Sequence, residues 1–168
     1  MLLNRDWLNR RNFAISGLNW LGGICLASLI SPIPANALSS KGWELSDAEW
    51  RKRLSPRAYA VLRRAATEAP FSSPLNKEHR KGVFSCAGCD LPLFASATKF
   101  DSGTGWPSFY DHLPGAIAER ADKSLPEERT EVHCGRCGGH LGHVFHDGPR
   151  PTGLRYCMNG VALTFHPA

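Results

Sequence analysis

Cysteine and histidine are the residues of this 168-residue chain whose types and spacing could do chemistry. The six cysteines divide as four, one and one. Cys86/Cys89 and Cys134/Cys137 are two Cys-x-x-Cys pairs, Cys157 stands alone near the C-terminus, and Cys25 sits in an apolar N-terminal stretch. Two intervening residues put both sulfurs of a pair on one tight turn, within reach of a single tetrahedral ion. Gly88, Gly135, Gly138 and Gly139 allow the backbone turns that such knuckles need. With 44 residues between Cys89 and Cys134, the fold must bring the two knuckles together. Four thiolates leave no open coordination position, so the expected Zn2+, one per chain, is structural. Two disulfides are the competing reading if the protein meets an oxidising compartment, and a redox dithiol is a further one.

Cys157 lies in an apolar, strand-like burst, Gly153 to Asn159, where a lone cysteine is most often a small buried hydrophobe. Arg155, two residues away, falls on the same strand face, where its charge would lower the thiol pKa and favour thiolate. His140 and His143 are not needed by a metal that already has four sulfurs, so these imidazoles are free for acid–base work. Trp106 sits on a stiff loop, Gly103-Thr-Gly-Trp-Pro-Ser, and reads either as a core aromatic or as part of a site. His133 and His146 read as ordinary surface or structural histidines.

The elements that must position these residues have a mixed texture. Ser46-Asp-Ala-Glu49 is a capping box that starts a short helix through about Leu54. Ser55-Pro56 starts a second, running to about Ala66, with Tyr59, Leu62 and Ala66 on one face. From Phe71 onward short apolar bursts alternate with Gly and Pro. Strands are expected at Gly82–Phe84, Leu91–Phe94, Glu131–His133, His143–Phe145, Leu154–Cys157 and Val161–Phe165. The class is therefore mainly β (α+β): small antiparallel sheets preceded by short helices. No repeat, heptad or βαβ alternation occurs, and Gly103-x-Gly105 leads into Trp-Pro rather than into a phosphate-cradling helix.

Residues 1–37 read as an address. Arg5, Arg10 and Arg11 precede an uncharged, moderately apolar stretch, Phe13 to Ile33. Pro32 and Pro34 then lead to Ala35-Asn-Ala37, which presents small residues at the positions a signal peptidase reads. The Arg10-Arg11 pair resembles a twin-arginine export signature, although Asn9 stands where Ser or Thr is usual. An uncleaved membrane anchor is the alternative. Cleavage before Leu38 would deliver residues 38–168 to the periplasm, or otherwise outside the cytoplasm, with no stable membrane association. The formal charge of +5 drops to +3 without the leader, since 20 basic and 15 acidic residues become 17 and 14. So mild and scattered a charge argues against nucleic acid as a partner.

Taken together, these residues resemble the methionine-R-sulfoxide reductase family. The resemblance spans nearly all of residues 45–166 and rests on ordered blocks. These are Cys86-x-x-Cys89, Lys99-Phe-Asp-Ser-Gly-Thr-Gly-Trp-Pro-Ser-Phe109, Cys134-x-x-Cys137, His140-Leu-Gly-His-Val-Phe145, Asp147-Gly-Pro149 and Pro151-Thr-Gly-Leu-Arg-Tyr-Cys157. It implies two small antiparallel sheets holding the active site between them, with the zinc remote from it. It also implies that Cys157 attacks the sulfoxide sulfur and becomes a sulfenic acid, while His143, helped by His140, manages the oxygen and its proton. Asn159 and Arg155 would support substrate and thiolate. Trp106 would pack on the substrate methyl group, with Phe145 also on the binding side. The implied partners are oxidised proteins and a thioredoxin-like or other thiol reductant. A peroxide-reducing thiol enzyme and a non-catalytic zinc module are the rival readings.

Two departures from the family pattern stand out. Thr104 occupies a position where many members carry a resolving cysteine, and the N-terminal position used by others offers only Cys25, inside the leader expected to be removed, so regeneration is expected to fall to an external thiol. Met158-Asn159-Gly160 replaces a β-branched residue, Asn and Ser after the nucleophile. Gly160 is expected to loosen the turn supporting Asn159, and Met158 to lie open to oxidation.

Overall fold

Local capping chemistry sets the two helices of the computed structural model, which describes residues 42–168. Ser46 caps α1 (Asp47–Arg53) by accepting from the Glu49 N–H, while the Glu49 carboxylate accepts from the Ser46 N–H. Ser55 caps α2 (Pro56–Arg64) in the same way through Ala58, with Pro56 at the first helical position. Ala65 turns left-handed at φ 51° and ends α2 just short of the expected Ala66. Trp50, Ala58, Tyr59, Val61 and Leu62 are the buried faces of the pair. No helix among the described residues is long and apolar enough to cross a membrane.

Nine short strands follow: β1 (Gly82–Cys86), β2 (Pro92–Ala95), β3 (Lys99–Phe100), β4 (Ser108–Phe109), β5 (Ile117–Asp122), β6 (Arg129–Cys134), β7 (His140–Phe145), β8 (Arg155–Met158) and β9 (Leu163–Pro167). They form two antiparallel sheets, of order β2-β1-β9 and β3-β4-β8-β7-β6-β5. The mainly β class with two short N-terminal helices is as expected. The second sheet is larger than expected, because β3, β4 and β5 carry little apolar signal. β3 and β4 are two residues each, and the interior of β5, Ala118–Ala121, is exposed along its length. Leu154 lies before β8, and Val161 belongs to a 3-10 turn at Gly160–Ala162 rather than to β9.

Aromatic packing joins the sheets. Phe109 of β4 stacks on Phe94 of β2, with ring centroids 4.4 Å apart, and meets Phe84 of β1 edge-on at 5.0 Å. Tyr156 of β8 tilts against Phe94 at 6.0 Å. Phe84, Phe94 and Phe109 are all fully buried. On β8 the pleat therefore sends Tyr156 and Met158 into this core and turns Arg155 and Cys157 to the opposite face.

Candidate active site and metal centre

Pairing register places the lone cysteine. Cys157 of β8 lies opposite His143 of β7 on one side and Ser108 of β4 on the other. Gly142 permits this: a Cβ there would overlap the Cys157 carbonyl. Cys157 then lines a pocket of about 120 Å3 with Thr67, Trp106, Arg129, Gly142, His143, Phe145 and Asn159. Five of the seven expected site residues thus meet around one small hollow. Met158 is wholly buried on the core face, so it is shielded rather than open to oxidation.

The remaining two expected residues stand one contact back. Arg155 makes a bidentate pair with Asp147, both contacts at 2.8 Å, and its guanidinium lies 4.4 Å from the centre of the Phe145 ring. His140 is buried at 5% exposure; its Nδ1 lies 2.7 Å from Glu131 Oε1, and its ring meets His143 edge-on at 5.5 Å. Its Nε2 has no hydrogen-bond partner among the described residues. Glu131 is also paired with Arg120. Burial pushes the Glu131 carboxyl up, but the contacts to Arg120 and His140 outweigh it and hold the group below its usual value.

Two residues of the site carry no sequence signal. The Asp122 carboxylate, at the end of β5, accepts from His143 Nε2 and from Arg129 Nη2, both at 2.7 Å. Hydrogen bonds from Ser124, then His143 and Arg129, hold its pKa well below the usual carboxylate range. His143 itself is pushed below its ordinary value, because burial outweighs the attraction of Asp122. It is therefore neutral at pH 7, with Nε2 carrying the proton and Nδ1 the lone pair.

The thiol sits between opposing effects. Burial pushes the Cys157 pKa up, and contacts from Thr104, Arg155 and Ser108 pull it down without overcoming the burial. Arg155 thus acts in the expected direction, but the net shift is upward. Thr104 Oγ1 lies 3.9 Å from Cys157 Sγ and Ser108 shares its hydroxyl with Ser102 at 2.7 Å, so the thiol faces hydroxyls on the Trp106 loop side.

Gly160 behaves differently from expectation. A Cβ at this position would overlap Ser73 Oγ, so the glycine marks a close approach, not a loose turn. Asn159 is accordingly well held, at 3% exposure. Its Nδ2 donates to the Leu141 carbonyl at 3.0 Å and its Oδ1 accepts from the Glu68 N–H at 2.9 Å.

The other four described cysteines converge elsewhere, with Cys86 and Cys89 from the β1–β2 turn and Cys134 and Cys137 from the β6–β7 turn. Both turns close alike, by a bond from Asp90 N–H to Cys86 O at 2.8 Å and from Gly138 N–H to Cys134 O at 2.9 Å. Asp90 and Gly138 take the left-handed conformation at φ 57° and 66°, so Gly138 serves as expected while Asp90 does the equivalent work in the first knuckle. The four sulfurs lie within 4.8 Å of one another, with Cys86–Cys137 at 3.7 Å and Cys89–Cys134 at 3.5 Å. A disulfide needs about 2.05 Å, whereas tetrahedral metal–sulfur bonds of about 2.3 Å put sulfurs about 3.8 Å apart. The cluster fits a metal ion. Three arginines brace it through carbonyls: Arg53 to Gly88 at 2.6 Å, Arg63 to Cys137 at 3.0 Å and Arg136 to Cys89 at 3.2 Å.

A half-buried thiol opposed by an imidazole and beside an indole, with four other cysteines gathered in a cluster that fits a metal ion, defines the class as a thiol-dependent redox protein with a separate candidate metal site. Comparison with known proteins agrees. The SelR domain model matches residues 54–167. A peptide methionine sulfoxide reductase MsrB of Agrobacterium fabrum is 52% identical over 131 residues, covering 77% of this chain and 97% of the relative. Relatives of the same name from Thiobacillus denitrificans and Leifsonia xyli are 54% and 56% identical, covering 73% of this chain and 93% and 89% of their own length. The chain belongs to the SelR-domain family of MsrB proteins.

The raised Cys157 pKa has a measurable consequence. Alkylation of the folded protein by iodoacetamide is expected to be slower at pH 7 than that of a small thiol. Its rate should climb with pH through a midpoint above the small-thiol value, because the thiolate appears only as pH passes the raised pKa. A midpoint near neutrality would show that Arg155 and the hydroxyls prevail over burial.

Proposed function

We propose that this protein reduces methionine-R-sulfoxide, mainly in oxidised proteins, to methionine, using Cys157 as its nucleophile. The observation that carries the reading is Cys157 in a pocket shared with Trp106, His143, Phe145 and Asn159, while every other described cysteine is gathered in the four-sulfur cluster. The names of the relatives support the same substrate class. The Cys157 sulfur bonds to the sulfoxide sulfur as the oxygen takes up one proton. The hydroxyl then passes to the Cys157 sulfur while the S–S and S–O bonds to the substrate sulfur break, which releases methionine and leaves a sulfenic acid on Cys157. Sulfur is oxidised on the enzyme and reduced on the substrate by two electrons.

His143 and His140 are the proton carriers nearest this chemistry. His143 faces Cys157 across the strand pair, and the unbonded Nε2 of His140 lies in the imidazole beside it. The sulfoxide bears an oxygen, a lone pair and two different carbons. Methyl held on Trp106 and oxygen held by the imidazoles admit one epimer only.

Regeneration falls to an external thiol, since Thr104 stands nearest Cys157 on the loop side and carries a hydroxyl. One thiol converts the sulfenic acid to a mixed disulfide with release of water, and a second frees Cys157. The donor class is a thioredoxin-like protein or another thiol reductant. The ion of the four-cysteine centre is Zn2+, which matches four thiolates in tetrahedral geometry and needs no redox change. Residues 1–37, which lie outside the described residues, are read as a twin-arginine leader that directs the protein to the periplasm. Loading the metal before export would protect the four thiolates from oxidation.

Exposure of the protein to a methionine sulfoxide peptide without reductant is expected to leave one sulfenic acid on Cys157, trapped by dimedone and located by mass spectrometry. In Thr104→Cys the same treatment should give a disulfide between the introduced thiol and Cys157, and no dimedone adduct. A sulfenic acid elsewhere, or peroxide rather than sulfoxide as the effective oxidant, would overturn the reading. N-terminal sequencing of secreted protein should begin at Leu38; retention of the first 37 residues would refute cleavage.

A further inference from the structure

Glu68 lies on the connection between α2 and β1, outside both the cysteine cluster and the strand pair that presents Cys157. It nevertheless contacts three separate parts of the site. Its backbone carbonyl accepts from Trp106 Nε1 at 3.1 Å. Its backbone N–H donates to Asn159 Oδ1 at 2.9 Å. Its carboxylate accepts from Gly160 N–H at 2.5 Å through Oε1 and from Val161 N–H at 3.1 Å through Oε2. The acid thus receives the first two N–H groups of the 3-10 turn at Gly160–Ala162, which directly follows β8 and Asn159. Such groups have no partner within the turn and favour negative charge.

We propose that Glu68 is a positioning residue for sulfoxide reduction: its carboxylate fixes the backbone that aims Trp106 and Asn159 into the pocket. The carboxylate is the only one of these groups that substitution can remove while the backbone contacts remain chemically possible. Fixed to the turn, residue 68 presents its N–H and C=O at set places. Freed, it would release the Asn159 amide and the Trp106 indole together. Ser73, packed against Gly160 and bonded through its hydroxyl to the Leu75 N–H, closes the same junction from behind. Glu68 is not a catalytic residue: Cys157, not Glu68, meets the substrate, and Glu68 is absent from the lining of the Cys157 pocket. It contributes instead to the wall of a separate cavity of about 600 Å3, together with Gly160 and Val161.

The inference rests on the sulfoxide chemistry proposed for Cys157, and two measurements on one variant separate them. Single-turnover oxidation of the zinc-loaded full chain by a methionine-R-sulfoxide peptide would be followed beside iodoacetamide alkylation of Cys157 at the same pH. Glu68→Ala is expected to slow the sulfoxide reaction at saturation about tenfold or more, since small misplacements of positioning groups carry large rate penalties. Its alkylation rate should stay within about twofold of wild type, because thiolate formation does not depend on the aim of Trp106 and Asn159. Glu68→Gln keeps one acceptor and should fall between the two, which supplies the reading if Glu68→Ala does not fold. A folded variant with the wild-type rate on sulfoxide overturns the proposal. So does a loss shared equally by sulfoxide and iodoacetamide, which would indicate general disruption. Failure of wild-type protein to consume sulfoxide would instead refute the chemistry assigned to Cys157.

Discussion

The convergence of four sulfurs from two different sheets is the constraint on which the rest of the structure depends. Cys86 and Cys89 belong to the turn after β1, and Cys134 and Cys137 to the turn after β6, so the cluster ties the three-stranded sheet to the six-stranded one. Sulfurs 3.5 and 3.7 Å apart cannot all be thiolates without a compensating cation, because like charges at that distance repel strongly. With a metal bound, the same crowding becomes a cross-link. The two helices take part through arginines, since Arg53 of α1 and Arg63 of α2 donate to carbonyls of opposite knuckles. The cluster thereby fixes the start of β7 next to the end of β6, and β7 carries both His140 and His143.

From that anchor the active site follows by register. β7 pairs with β8 so that His143 faces Cys157, and β8 pairs with β4 so that Ser108 faces it from the other side. The half-open pocket that results sets the apolar rings of Trp106 and Phe145 beside the polar groups of His143 and Asn159. Burial opposes ionisation of Cys157 and of His143. Asp122 and Arg129 add a charged rim that holds the Nε2 side of His143.

Much of this was legible in the sequence where the signal is local. The Ser46 and Ser55 caps, the two knuckles, and the alternation that sets Cys157 opposite to Tyr156 and Met158 all depend on residues a few positions apart. The illegible parts depend on distant partners. β4 is only Ser108–Phe109 inside a Gly- and Pro-rich loop, and it is a strand because β8 and β3 pair with it. Asp122 looks like any surface acid until β5 and β7 are brought together around β6. Gly160 suggested looseness from its lack of a side chain, whereas Ser73, 87 residues earlier in the chain (160 minus 73), fills that space. Arg155 has the expected electrostatic sign, but burial of the thiol is a property of the assembled sheets and outweighs it.

The chemistry assigned to Cys157 has one direct measurement. Peptides carrying each pure methionine sulfoxide epimer would be incubated with zinc-loaded protein and dithiothreitol, with Cys157→Ser in parallel. The account predicts loss of the R epimer alone, and no loss of either with the serine variant. Consumption of the S epimer, or turnover that survives in Cys157→Ser, would contradict it.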